Sequence, residues 1–306
     1  MAQSAPSYAF LAFLVVVVVV AASVGGVLLY EHNHPKVTAA VPRVAVGDNV
    51  TVNYIGLFGS GPEQGRVFDT SIKSVALDNG AYPKSLEFAL RNLTQYTPLG
   101  VHVAPKTPRA GFTIGNTTFV GVVPGFWRGL LGLAVNQTRW VSFSDTQGYG
   151  PLNASCLRYQ PLVEHLANVV TLPSKSFSTA YPGVGPFSGS SFLDPTYGWT
   201  DTVLSSNQTT VVVGYFPHVG ELTSHAGWPV TVTAINGTTI TLTNGLSTSN
   251  AGLVTGNLSG NATVCGAHEF VASAVNTNGT YTMNFNREVV GQTLVFRMTV
   301  VQIVSA

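Results

Sequence analysis

The stretch Val46-Gly-Asp-Asn-Val-Thr-Val-Asn-Tyr54-Ile-Gly56 decides the fold. Val50, Val52 and Tyr54 alternate with Thr51 and Asn53, and that period of two marks a strand with one face in a core. A turn-rich break follows at Gly59-Ser-Gly-Pro-Glu-Gln-Gly65. The chain resumes at Val67-Phe68-Asp69-Thr70-Ser71, the end of a second strand.

Two later stretches complete the pattern. Phe112-Thr-Ile-Gly115 leads to Val122-Val-Pro-Gly125-Phe-Trp-Arg-Gly-Leu-Leu-Gly132. Pro124 suits a first helical turn, and Phe126, Leu130 and Leu133 share one face at helical spacing, which predicts a short helix. A strand over 138–143 follows, then Gly148-Tyr149-Gly150. The last stretch is Asn284-Phe-Asn-Arg-Glu-Val-Val-Gly291-Gln-Thr-Leu-Val-Phe296-Arg-Met-Thr-Val-Val. Its strand, 293–303, must pair with partners far back in the chain.

Between these stretches the pattern loosens. Residues 72–111 read as an enlarged excursion over the core, with a helical turn or two over 84–92. From 151 to about 281 comes an insertion. It opens on an amphipathic stretch at 162–170, then a segment rich in Ser, Gly, Pro and aromatics at 173–199, then strands. Asn236-Gly237 between 230–235 and 238–243 predicts a hairpin with a type I′ turn. No internal repeat is read. The insert aromatics Phe177, Tyr181, Phe187, Phe192, Tyr197, Trp199, Tyr215, Phe216 and Trp228 are expected mostly in its core.

The three stretches together resemble the FKBP-type peptidyl-prolyl isomerases, in particular the long archaeal and SlyD-like branch with a domain inserted before the last strand. The resemblance covers about 90 residues in ordered motifs: Phe68-Asp69-x-Ser71, Pro124-Gly-Phe126 and Tyr149-Gly150. It implies an α+β, mostly β fold, with a curved antiparallel sheet wrapped on a short helix, over 44–151 and 281–306. The insert would be 152–280. It implies catalysis of cis/trans isomerisation at X-Pro bonds by Tyr54, Phe68, Asp69 and Tyr149. Val122, Val123, Phe126 and Phe296 would line the proline pocket. Phe126 stands where many members have Trp, Ala110 where many place another pocket aromatic, and Arg287-Glu288 where the branch commonly reads His-Pro. No cofactor and no metal is implied. In that branch the insert binds unfolded clients.

Residues 9–30 carry no charge and 15–20 are all Val, long enough as a helix, roughly 33 Å, to cross a hydrocarbon core. The expectation is a tail at 1–8, a membrane helix at 9–30 and a tether at 31–43; a cleaved signal peptide is the competing reading. With 9% charged residues and a net charge of +1, nothing points to a nucleic-acid partner. Asn49, Asn92, Asn116, Asn136, Asn153, Asn207, Asn236, Asn257, Asn261 and Asn278 each begin an N-x-Ser/Thr acceptor. That excess fits a glycosylated, extracytoplasmic chain, although a Thr-rich β protein accounts for part of it. Cys156 and Cys265 fit the same compartment as one disulfide, or stand as two separate buried thiols. The seven His show no ligand spacing beyond His32-x-His34. The expected partners are proline-containing unfolded proteins and the membrane. The alternatives are a catalytically weak client-binding chaperone of the same fold, or a non-enzymatic glycosylated envelope or adhesion protein.

Overall fold

The opening motif becomes β1 (Asn49–Phe58), but Thr51 and Ile55 are buried as well as Val50, Val52 and Tyr54, so the strand is covered on both faces and not half-buried as its alternation suggested. The structure is a computed structural model that describes residues 41–105, 111–223, 227–258 and 261–304. The expected membrane helix, the tail, the tether up to residue 40 and Ala110 lie outside the described residues. Among the described residues no helix is long and apolar enough to cross a membrane. Arg43, assigned to the tether, is exposed but already tied to the folded chain: it bridges to Ala134 and its Nη1 donates to the Gly132 carbonyl at 2.8 Å.

After β1 come β2 (Val67–Thr70), α1 (Lys73–Leu77), β3 (Leu99–His102), β4 (Phe112–Ile114), β5 (Thr117–Val120), α2 (Pro124–Leu130) and β6 (Thr138–Phe143). The excursion holds a strand where only loop was expected: β3 pairs with β1. No helix forms over 84–92; the short helix lies earlier, at α1. Val75 on α1 packs with Ile55 and Val67, and Tyr82 and Phe88 join them, so the excursion covers the outer face of the sheet.

The insert follows. Its first strands, β7 (Leu157–Pro161), β8 (Val163–Ala167) and β9 (Val169–Pro173), run in succession, so residues 162–170 are two strands and not one amphipathic stretch. Then come α3 (Ser174–Ala180), β10 (Ser191–Leu193), β11 (Thr200–Ser206), β12 (Thr210–Tyr215), β13 (Leu222–Thr223), β14 (Val230–Asn236), β15 (Thr239–Asn244), β16 (Thr255–Asn257), β17 (Glu269–Val275) and β18 (Thr280–Asn284). They form three four-stranded sheets, β10-β11-β12-β9, β13-β14-β15-β8 and β16-β17-β18-β7.

These sheets are one unit built three times, which corrects the reading that no repeat exists. Each is a three-stranded meander closed by one of the successive strands. Each middle strand bulges at the same place, after Val203, Val232 and Ala272. The hydrogen bonds repeat with a period of six along 156–174. The carbonyls of Cys156, Leu162 and Asn168 accept from Phe285, Asn244 and Tyr215; the amides of Leu162, Asn168 and Ser174 donate to Gly279, Thr238 and Thr209. Gly189, Gly220 and Gly252, all at positive φ, donate to the bulge residues Val203, Val232 and Ala272. In the second unit Gly237 and Thr238 form the turn, since Asn236 pairs with Thr239. Neither is at positive φ, so the turn is not type I′.

The repeat isolates an anomaly. Val230 and Phe270 sit two residues before the bulge and are buried; the first unit has Asp201 there, fully buried. Neither Asp201 carboxyl oxygen has a hydrogen bond of good geometry among the described residues, and its nearest polar neighbours are the Asp194 carboxyl and the Trp199 indole. Burial, then Asp194, push its acid up to about 8. A carboxyl raised on folding favours the folded state in full below its unfolded value and loses that contribution as pH rises toward the folded one. Wild-type thermal stability is therefore expected to fall between about pH 4 and pH 8 more steeply than that of Asp201→Asn, with the two curves meeting in acid. Parallel melting curves across that range would reject this account.

Cys156 and Cys265 are bonded, with Cα atoms 5.6 Å apart, so the reading of two separate thiols falls away. Strand β18 pairs with β7 and β17, and Met283 and Phe285 lie in the insert's apolar core. The insert therefore runs to Phe285, past the expected boundary at 280. The chain then returns as β19 (Leu294–Val304), which lies between β1 and β6. The first sheet has the order β4-β5-β3-β1-β19-β6, with β2 also on β1; all its pairings are antiparallel except β3 with β5. A bulge after Thr51 bends β1. The result is a mostly-β, α+β architecture with short helices and curved sheets.

Helix α2 packs on β6 and β19 because of its glycines. A Cβ on Gly125 would sit 2.2 Å from Phe143 Cγ, and one on Gly129 would sit 2.6 Å from Met298 Cε. Two glycines cost helix propensity, about 1 kcal/mol each, but they let the backbone lie directly on the sheet.

Candidate active site

The sheet and α2 bring distant residues to one cavity of about 180 Å³. Its walls are Tyr54, Phe68, Asp69, Val122, Val123, Phe126, Tyr149 and Phe296, together with Leu99 and Gly121. Tyr54 comes from β1, Phe68 and Asp69 from β2, the valines from the approach to α2, Phe126 from α2, Tyr149 from the loop after β6, and Phe296 from β19. All eight expected pocket residues therefore face one space.

Register explains the meeting. Gly56 on β1 pairs with Asp69 on one side and Phe296 on the other. A Cβ there would lie 2.7 Å from Phe68 Cζ and 2.8 Å from Phe296 Cε1, so the missing side chain makes room for both rings. Phe296 is the hub. Its ring centroid is 5.0 Å from Phe126, 5.5 Å from Phe68, 5.6 Å from Phe143 and 6.1 Å from Tyr54. The Phe126 and Phe68 rings meet it edge to face, the arrangement that aromatic quadrupoles favour.

One carboxylate stands at the edge of this apolar cup. Asp69 Oδ2 accepts from the Tyr54 hydroxyl at 2.6 Å; Oδ1 accepts from the Thr70 amide at 2.8 Å and from Arg91 Nη2 at 3.1 Å. Arg91 also donates to the Thr70 carbonyl and lies over the Tyr96 ring. Burial works against the Arg91 charge, but Asp69 and Tyr54 outweigh it and hold its pKa up. The ion pair is half exposed, so it orients Asp69 more than it stabilises the fold.

Both tyrosine hydroxyls stay protonated at physiological pH. Burial, then the Asp69 charge, raises Tyr54. The same two causes raise Tyr149, and Arg287 partly offsets them. Tyr54 is buried, whereas Tyr149 is 41% exposed and stands at the mouth, with the Arg287 guanidinium 5.7 Å above its ring. Among the described residues no cluster of His, Cys, Asp or Glu has the arrangement to hold a metal ion.

Sequence reasoning missed Leu99, Gly121 and Arg91. Leu99 and Arg91 lie in the excursion, whose length hid their register. Next to the cup, also bordered by Tyr54 and Leu99, is a more polar cavity of about 570 Å³ lined by Arg91, Gln95, Thr117 and Gln302. Asn116 lines it too, so a glycan there would stand in this groove and not in the apolar cup.

The glycan acceptors divide. Asn49 is 5% exposed and its Oδ1 bonds His102 Nδ1 at 2.8 Å, so as an acceptor in the folded chain it is corrected. Asn92, Asn116, Asn136, Asn153, Asn207, Asn236, Asn257, Asn261 and Asn278 are exposed. Four of these motifs also build turns. In Asn92, Asn153, Asn207 and Asn278 the side-chain oxygen accepts both the amide and the hydroxyl of the Ser or Thr two residues on. Turn formation thus accounts for part of the excess.

No protein-family model matches this chain, and no curated protein matches it in sequence.

Proposed function

We propose that this chain is a peptidyl-prolyl cis-trans isomerase of the FKBP type, acting on X-Pro bonds of exported proteins, with an insert that holds unfolded clients. Residues 9–30 would anchor it with the cup outside the cytoplasm. What carries the reading is that the eight residues named by the resemblance line one cavity. The sheet curved over α2 fits an FKBP-like fold.

The chemistry asks for little else. The X-Pro bond is held planar by resonance behind a barrier of roughly 18–20 kcal/mol. Twisting it removes amide charge separation, so an apolar cup favours the twisted state over the planar one. Phe68, Phe126, Phe296 and the two valines supply that surface. The Tyr149 hydroxyl, protonated and at the mouth, is placed to donate to a flanking carbonyl. Asp69, held by Tyr54 and Arg91, stands fixed beside the bond, where charge redistributes.

A second observation supports the client-binding half. Val169 pairs with Gly214 on the outer face of the first insert sheet, and the exposed side chains of Leu204 and Phe216 lie over that glycine. The other two units place Thr233 with Gly245 and Ser273 with Asn286 at the positions of Leu204 and Phe216, so the repeat itself does not call for apolar residues there.

One assay tests both halves: isomerisation of a short proline peptide beside proline-limited refolding of an unfolded protein. Tyr149→Phe removes one hydrogen bond worth about 1 kcal/mol and should slow both reactions about five-fold. Asp69→Ala should slow both as well. Phe216→Ser with Leu204→Ser should slow only refolding. Unchanged rates in Tyr149→Phe and Asp69→Ala would remove the site assignment.

A further inference from the structure

Three glutamates from three parts of the chain meet beside the cup. Glu63, in the turn between β1 and β2, is buried; Glu87 belongs to the excursion; Glu288 lies in the return turn before β19. Three successive residues of the excursion tie two of these carboxylates together. Ser85 Oγ donates to Glu288 Oε2 at 2.8 Å, the Leu86 amide to Glu63 Oε1 at 2.9 Å, and the Glu87 amide to Glu288 Oε1 at 3.3 Å. The Glu288 amide donates back to Glu87 Oε2 at 3.2 Å.

The other charges nearby do not neutralise the cluster. Glu269, from the insert, adds to the negative field at Glu87, and Arg287 is the cation that acts on it. Arg66 is bonded to the Lys84 carbonyl, and Lys84 to the carbonyls of Asp78 and Tyr82. The insert loop at 247–253, whose Gly252 lies against Pro62, carries no charge. Burial, then the neighbouring Glu63 carboxyl, raises the Glu288 acid to about 8.

The return turn leads straight to the mouth of the cup. The Gly291 amide donates to the Gly150 carbonyl at 2.8 Å, one residue from Tyr149, and Arg287 lies over the Tyr149 ring.

We propose that one proton held between Glu63 and Glu288 latches the excursion to the return turn, and that Arg287 is thereby a positioning residue for Tyr149. Closed, the latch fixes the turn and the turn fixes Tyr149. Without the proton, two carboxylates held side by side by successive donors repel each other and the segments separate. A raised carboxyl keeps its proton through neutral pH, so the latch is closed there and opens as pH rises through about 8. What Tyr149 does once positioned rests on the isomerase reading; the latch itself does not.

The test is a carboxyl-carbon NMR titration of the full chain, with the Tyr149 ring signals followed alongside, and kcat/KM for a proline peptide from pH 6 to pH 9. In the wild type, Glu288 should titrate well above the ordinary glutamate range, Tyr149 should shift with it, and kcat/KM should fall several-fold. Glu288→Gln keeps a donor at every pH and should give a flat profile with Tyr149 unmoved. Glu63→Gln should do the same, and serves if the first variant fails to fold. Titration of Glu288 in the ordinary range, or a Tyr149 signal indifferent to it, overturns the latch. No isomerisation at any pH, with Glu288 and Tyr149 still titrating together, removes the isomerase reading and supports the latch.

Discussion

Phe296→Ala is expected to lose about 3–5 kcal/mol of folding free energy, the range for emptying a buried aromatic site. The ring is almost fully buried and is neighbour to Tyr54, Phe68, Phe126 and Phe143, which come from β1, β2, α2 and β6. Among the described residues no other side chain joins those four elements through ring contacts. Typical domains have only about 5–15 kcal/mol in hand, so the variant should sit near the limit of stability. Phe296→Leu fills most of the volume and should recover much of the loss, yet it removes an aromatic wall of the cup. Chemical denaturation measures the first effect and peptide isomerisation the second. A denaturation midpoint unmoved in Phe296→Ala would mean that the ring is not the hub its neighbours indicate.

The legible parts of this chain are those in which one local signal had no competitor. Period-two alternation marked β1, and Pro124 with the spacing of Phe126 and Leu130 marked α2, which stops at Leu130 and leaves Leu133 beyond the helix. The residues around the cavity were named from an ordered set of motifs, and register explains why they meet: Gly56 pairs with both Asp69 and Phe296. Strand β3 was not legible. It has four residues, and its partners are β1 and β5 on either side of it, so its pairing is not written in its own sequence.

The threefold repeat of the insert stayed hidden for a different reason. What repeats is backbone hydrogen bonding: the glycine before each bulge, the bulge itself, and the amides and carbonyls spaced six residues apart in 156–174. The side chains at equivalent places differ in kind. Val211, Ile240 and Tyr281 fill one buried position, and Asp201, Val230 and Phe270 fill another. A comparison of side chains finds no period there. The N-x-Ser/Thr motifs misled in the opposite direction, because a signal read as a modification site also describes an Asn side chain closing a turn on the residue two places on.

The second large effect concerns the crosslink. Cys156 and Cys265 are separated by 109 residues, and closing a loop of that length removes unfolded-state entropy worth about 4–5 kcal/mol. Reduction should therefore lower the melting temperature on the order of 10 °C, since each kcal/mol is worth a few degrees in a chain of this size. Cys265 adds a test of its own. It and Gly266 are the central residues of the turn between Val264 and Ala267, both at positive φ, a pair of positions that favours Asn-Gly. A non-glycine residue in that region is held at a local cost, which Asn bears better than Cys. The double variant Cys156→Ala with Cys265→Asn should melt below the oxidised wild type but slightly above the reduced wild type. The loss should show first at Trp199 and Trp228, which lie in the insert, and later at Trp127, which packs under the first sheet. Cys156 is buried in the same apolar cluster as both insert tryptophans, and its carbonyl accepts from Phe285, where the insert ends. The bond thus ties a far loop to the place where the insert opens and closes. Simultaneous loss of all tryptophan signals on reduction would instead mean that the insert and the first sheet unfold as one cooperative body, joined by contacts such as that of Gly252 with Pro62.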